Sequence, residues 1–169
     1  MSNTENLNNK EAIDKLKSLV NDIMVCLFCT DLKTNDGSTC RPMTALKVCD
    51  QGNIWFFSEK DSEKNKAIAK DKDVQLFFSH PGKSSYLVLN GEATIMLDKT
   101  KIEELWTPAA KNWFKEGKED PNISIIKVTP TTAYYWDNDG NRMINFLKMV
   151  ASVVTGTNLI TGKEGAITV

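Results

Sequence analysis

The sequence predicts a mainly β domain, a small antiparallel barrel of six or so strands with a few peripheral helices. Two observations carry that expectation. Runs rich in β-branched and aromatic residues at 23–30, 41–48, 53–58, 74–78, 85–97, 123–128 and 132–136 alternate with Gly, Asn, Asp and Pro clusters of the kind that form turns. The longest run, 85–97, carries Gly91 in its middle, as at a bulge or a barrel bend.

In chain order, Asn9 can cap a helix whose apolar positions Ile13, Leu16, Leu19 and Val20 follow helical spacing. The run 23–30 is apolar on both faces, so one face can line a barrel while the other needs a cover, either a helix or a second subunit. Runs 41–48 and 53–58 read as a hairpin about Asp50-Gln51-Gly52-Asn53, residues that tolerate positive φ. A helix over 62–70 follows at once, with Ala67 and Ile68 as its apolar side. Strand 74–78 stops at His80-Pro81-Gly82. Strand 85–97 then sets Leu87, Leu89, Ala93, Ile95 and Leu97 against Tyr86, Asn90, Glu92 and Thr94. Short helical pieces near 99–106 and 108–115 hold Trp106, Trp113 and Phe114. A strand pair is expected around Pro130, then a turn at 137–140 and a helix over 142–154.

At 169 residues the chain can form one domain with a real core, burying roughly 70 % of its unfolded surface. Hydrophobic residues make up 41 % and charged residues 25 %, an ordinary globular balance. The net charge of −1, with acids and bases interspersed, gives no footprint for nucleic acid or for a strongly basic partner. The polar N-terminus does not resemble a signal peptide. No apolar run reaches the ~20 residues of a membrane span, and the cytoplasm is the expected location.

Cys26-Leu27-Phe28-Cys29 spells a C-x-x-C, a pattern of redox and zinc sites. Inside a strand, however, residues three apart point to opposite faces, and no second such pair exists, so core thiols are expected. His80 is the single histidine, which excludes a catalytic triad or a His-ligated metal. No dinucleotide-binding glycine fingerprint or Walker loop is present.

Anion chemistry is concentrated in 41–64. Arginine occurs twice among 21 basic residues, as Arg41 and Arg142. Arg41 opens a strand whose neighbour ends at Ser58, just before a helix N-terminus, where free N–H groups and the helix dipole suit a phosphate. Lys64 sits in that first turn, where the dipole disfavours a cation unless an anion is bound. Each residue also has a plainer reading: a solvated arginine at a strand end, a lysine neutralised by Asp61 and Glu63, and a Ser62 that only caps the helix. Trp106, Trp113, Tyr134, Tyr135 and Trp136 can wall a ring-binding cleft or pack in a core or interface.

Arg41-Pro42-Met43 with Leu46-Lys47, Trp55-Phe56-Phe57-Ser58, Ser62-Glu63-Lys64-Asn65-Lys66, Val74 to Phe78 and Tyr86 to Ala93 stand in a definite order. In that order they resemble the FMN-binding split barrel of the pyridoxamine 5′-phosphate oxidase superfamily, in its general-stress-protein branch, over roughly residues 10–140. The resemblance implies a six-stranded antiparallel split barrel and a homodimer with FMN at the subunit interface. Arg41, Pro42, Met43 and Thr44 would lie along the flavin, and Phe57 and Ser58 would flank it. Ser62, Glu63 and Lys64 would hold its phosphate, with Tyr86 reaching in from the partner. Deazaflavin is the alternative cofactor.

On the substrate side, Trp136 and Arg142 match the pyridoxamine oxidase pattern, but Ile144 replaces its histidine, and the Arg-Leu-x-Pro that closes those oxidases is missing. True pyridoxamine oxidase activity is therefore not expected, and a lone turn histidine argues against haem chemistry. The implied organisation is a frayed or disordered stretch at 1–8, a single split-barrel domain with a C-terminal helix at 9–154, and a tail at 155–169. The implied function is flavin-mediated redox of a small molecule, with no residue standing out as the essential acid or base. A non-catalytic flavin-binding stress sensor and a cofactor-free interaction protein are the alternatives.

Overall fold

The computed structural model describes residues 3–4, 7–34, 37–137 and 163–168. Helix α1 (Asn9–Ile23) buries Ala12, Leu16, Leu19 and Val20 on one face and stops at Met24, whose φ of 63° ends the helical ladder. Short strands β1 (Asn3–Thr4) and β2 (Leu7–Asn8) precede it. After it come β3 (Val25–Thr30), β4 (Thr39–Thr44), β5 (Lys47–Val48) and β6 (Ile54–Glu59). Helix α2 (Glu63–Lys70) then leads to β7 (Asp73–His80), β8 (Ser85–Met96), helix α3 (Lys99–Leu105), β9 (Ile123–Asp137) and β10 (Lys163–Thr168).

The strands form one sheet in the order β1-β10-β9-β8-β7-β3-β4, and β6 joins the other side of β9. All the long pairings are antiparallel, and the expected six barrel strands correspond to β3, β4, β6, β7, β8 and β9. The sheet curls into a half-barrel. It stays open between β4 and β6, which share no ladder among the described residues. That opening is the split.

Alternation along β6 and β9 builds a core on each face. Phe56, Ile126 and Val128 point into the barrel with Phe28, Leu76, Phe78, Leu87, Leu89, Tyr135 and the α1 leucines. Trp55, Ile123 and Ile125 point outward, where Ile102 and Leu105 of α3 and Phe114 cover them. Among the described residues, the outer face of β3, β7, β8 and the second half of β9 has no such cover, and Val25, Leu27, Phe77, Tyr86, Tyr134 and Trp136 are between 36 and 50 % exposed there.

Four expectations are corrected. First, 41–48 and 53–58 are not one hairpin: β4 pairs with β3, with Arg41 opposite Phe28, and only Lys47 and Val48 pair with β6. The apolar pattern could not reveal that the chain changes partner at Ala45 and Leu46.

Second, the strand pair around Pro130 is a single bent strand. Pro130 lies opposite Gly91 at a register shift, so its missing N–H falls at a bulge, and the Thr131 hydroxyl donates to the Asn90 carbonyl (3.1 Å). Third, only Cys26 remains a core thiol, pushed up to about 12 by burial, because Cys29 is bonded to Cys40 directly across the β3–β4 ladder. Fourth, Leu97, expected on the buried face, is 62 % exposed just past the end of β8.

Residues 163–168, within the stretch expected as a tail, add strand β10 beside β9. The helix expected over 142–154 lies outside the described residues. Among the described residues, no helix is long and apolar enough to cross a membrane.

Candidate functional site

A cleft of about 550 Å³ lies in the split of the barrel. Arg41, Pro42, Met43 and Thr44 of β4 form one wall and Phe57, Ser58 and Glu59 of β6 the other, with Lys64 of α2 at one end. Thr107, Ala109, Ala110, Trp113 and Phe114, from the turn after α3, close the outer side. Trp113 remains 65 % exposed, whereas Phe114 is buried and stacks edge-on against Phe57, which also meets Trp106. The cleft is thus largely apolar, with its positive charge gathered at β4 and the start of α2.

The two cations disfavour each other. Partial burial lowers the Lys64 ammonium below the ordinary lysine value, and the nearby Arg41 charge lowers it further, against the pull of Glu59. Burial likewise lowers the Arg41 guanidinium, partly offset by Asp31. Arg41 Nη1 donates to Thr30 Oγ1 (3.0 Å), and neither cation has a carboxylate salt-bridge partner among the described residues. Two partly desolvated like charges facing one cleft are the electrostatic complement of an anion.

The start of α2 is built to stay open. Ser62 occupies the N-cap position with extended φ and ψ, yet its hydroxyl caps nothing and instead meets Ser58 Oγ at 3.3 Å. The turn is anchored from beneath by Asn65, which is 3 % exposed. Its Nδ2 donates to the Lys60 carbonyl (3.1 Å) and to Ser124 Oγ (2.9 Å), and its Oδ1 accepts from Ser58 Oγ (2.7 Å). Ser124 Oγ donates in turn to the Ser58 carbonyl (3.0 Å), closing a buried ring that ties α2 to β6 and β9. Sequence reasoning missed Asn65 as a positioning residue. The signal was available, since Asn65 stands one helical turn before the buried Ile68 and so shares its face.

Of the residues singled out in the sequence, Arg41, Pro42, Met43, Thr44, Phe57, Ser58 and Lys64 come together in the cleft. Ser62 sits at its edge through Ser58. Glu63 points into solvent and pairs with Lys66 (2.7 Å). Tyr86 and Trp136 are cross-strand neighbours on the exposed sheet face, away from the cleft lining. Arg142 lies outside the described residues. His80 is in the β7–β8 turn, its Nδ1 accepting from the Lys83 N–H (3.3 Å). No cluster of His, Cys, Asp and Glu fit to hold a metal occurs among the described residues.

The profile of pyridoxamine 5′-phosphate oxidase like proteins matches residues 11–159. The chain belongs to this family. Protein bli-3 of Neurospora crassa is 26 % identical over 133 residues, which cover 73 % of this chain and 61 % of the fungal protein. The chain therefore spans less than two thirds of that relative's length.

Among solved structures, the general stress FMN/FAD binding protein of Xanthomonas citri superposes with a TM-score of 0.66 at 26 % identity, covering 78 % of this chain and 92 % of that one. A candidate general stress protein 26 from Jannaschia sp. CCS1 shares the fold with a TM-score of 0.77 at 22 % identity, covering 94 % and 96 % of the two chains. The general stress protein 26 of Bacillus anthracis str. Sterne reaches 0.64 at 24 % identity, covering 73 % and 92 %. Both family and branch thus agree with the resemblance carried by the sequence motifs.

Proposed function

We propose that the chain binds FMN in the cleft between β4 and β6 and acts as a homodimeric oxidoreductase on a small molecule. The observation that carries this reading is the meeting of Arg41 and Lys64, each destabilised as a cation, at an uncapped helix start beside an apolar slot. The slot's volume lies within the roughly 300–1,000 Å³ of cofactor and ligand sites, and its chemistry matches a planar aromatic ring carrying an anionic tail. The Xanthomonas citri relative is described as binding FMN or FAD.

On this reading Arg41, Lys64 and Ser62 hold the phosphate, Ser58 flanks the flavin with its hydroxyl tied to Asn65, and the backbone N–H groups at Glu63 and Lys64 donate to the phosphate. Pro42, Met43, Thr44 and Phe57 line the ring. Bound flavin supplies the electron transfer, and this chain's residues position it and exclude water. The uncovered apolar row Pro42, Leu27, Phe77, Val88 and Tyr134, successive partners across four ladders, is the surface on which a second copy docks. Docking there carries Tyr86, and with it Trp136, toward the partner's cleft. Trp136 and Arg142 orient the substrate, and the cytoplasm is the proposed location.

A second reading, a flavin-binding stress sensor without turnover, is favoured by one observation. Among the described residues, Arg41, Glu59 and Lys64 are the ionisable groups lining the cleft, and His80 stands elsewhere. Steady oxidation of reduced nicotinamide with a simple acceptor dye supports the enzyme, and its absence across donors supports the sensor.

The deciding experiment is an absorbance spectrum of the purified protein, repeated after addition of FMN and desalting. Retained oxidised-flavin bands support the site, and the same test with deazaflavin separates the alternative cofactor. Lys64→Ala should weaken FMN binding by about 1.5–3 kcal/mol, the loss of a charged hydrogen bond. Unchanged affinity would refute the phosphate assignment.

A further inference from the structure

The Cys29–Cys40 bond lies one residue away from the cation that faces the cleft. Cys29 and Cys40 are direct cross-strand partners, and Thr30 and Arg41, the next residues of β3 and β4, are joined by the Arg41 Nη1 to Thr30 Oγ1 hydrogen bond. Thr30 is fully buried and donates on to Asp31 Oδ2 (3.1 Å). Among the described residues, strand β4 is the end of the sheet and pairs with β3 alone, and Pro42, in the same non-hydrogen-bonded phase as Cys40, turns its missing N–H toward the open edge. The covalent bridge therefore secures an edge strand that forms a whole wall of the cleft.

We propose that Cys29–Cys40 is a second redox site of this protein, reducible by dithiols, and that its state sets how firmly Arg41 is held toward the cleft's anion. This regulation rests on the phosphate reading of the cleft given above. The two sulfurs differ in access, since Cys29 is 1 % exposed whereas Cys40 is an exposed residue. An external dithiol attacks as its thiolate at Cys40 Sγ, the S–S bond breaks, and Cys29 leaves as a thiolate that takes up a proton. The second thiol of the reagent then displaces Cys40 from the mixed disulfide. In sum, two electrons and two protons pass to the protein, and the reagent becomes its cyclic disulfide.

The two remaining cysteines are free thiols outside the bridge. Cys26 is buried and stays protonated, and Cys49 lies at the start of the β5–β6 turn. With the bridge open, β4 is held only by its hydrogen-bonded ladder to β3, and the guanidinium loses the fixed distance between its backbone and Thr30.

The test uses the wild-type protein. Alkylation of the unfolded chain without reductant should label two thiols, Cys26 and Cys49, and four after dithiol treatment and anaerobic desalting. FMN affinity, measured by fluorescence quenching, should fall at least threefold in the reduced form and recover on reoxidation. Riboflavin, which lacks the phosphate, should shift by less than half as much, and Cys40→Ser should match the reduced form under both conditions.

Four thiols in the untreated protein, or equal FMN affinity in the two states, overturns the proposal. If neither state holds FMN, the cofactor reading fails separately. Amide hydrogen exchange over Thr39–Thr44 then decides: exchange that quickens on reduction supports the bond's grip on β4, and unchanged exchange refutes it.

Discussion

Replacing Asn65 by alanine tests whether the start of α2 is held in place by a buried polar ring. The side chain makes three hydrogen bonds, to Ser58, Lys60 and Ser124, and Ser58 and Ser124 are themselves 2 % and 0 % exposed. Each bond contributes about 1 kcal/mol net, and a buried hydroxyl or carbonyl left without its partner costs more than the bond itself was worth. The expected loss is about 3–4 kcal/mol, out of roughly 5–15 for a whole domain.

In urea denaturation, with a slope of about 1–3 kcal/mol/M, the midpoint should fall by 1 M or more. Asn65→Asp should fare no better, because its second carboxylate oxygen faces the Lys60 carbonyl where an N–H donor stood. Because the same ring sets the position of Ser58 and Lys64, FMN binding by any folded Asn65→Ala protein should also weaken. A midpoint within a few tenths of a molar of wild type would refute the reasoning and mean that water replaces the amide at little cost.

Other expectations follow from single features. A Cβ at Gly91 would sit 2.6 Å from the Thr129 carbonyl oxygen, so Gly91→Ala should destabilise by about 1–3 kcal/mol, read as a drop in melting temperature. Lys64 loses its proton at lower pH than the ordinary value of 10.5, and an anion needs it charged. FMN affinity should therefore be constant at neutral pH and fall as pH rises through the range below 10.5, while riboflavin affinity stays flat. Leu27→Glu places a charge amid the uncovered apolar row and should convert a dimer to a monomer in sedimentation, with the far-ultraviolet circular dichroism unchanged.

Features that depend on short-range pattern were legible in the sequence. The alternation of Leu87, Leu89 and Ala93, the break at Gly91 and the turn at 50–53 all reappear, because strand periodicity and turn chemistry act over a few residues. The cleft residues on 41–44 and 57–64 were legible for a different reason, the family motif. Pairing partners were not. Nothing local says that β4 joins β3 while Lys47 joins Trp55, nor that Cys40, rather than a residue within the C-x-x-C, is opposite Cys29. The rule that Cys26 and Cys29 diverge was sound, but it considered that pair alone, and the partner of Cys29 came from another strand. Asn65 was passed over because a polar residue in a charged helix reads as solvated, although its spacing from Ile68 put it on the inward face.

The shared strand β9 has a consequence for the order in which this protein is made. It pairs with β8 along nearly its whole length, with β6 through Ile123–Val128 and with β10 through Ala133–Asp137. β6 therefore leaves the ribosome long before the strand that completes it, and in the interval it has only the short strand β5 beside it, while Phe57 lacks its partner Ile125. Such distant pairings are slow to form and leave strand edges open to neighbouring chains. The edge of β6 thus stays open until β9 has emerged, and a translation pause placed between 60 and 123 should raise the chain's tendency to aggregate.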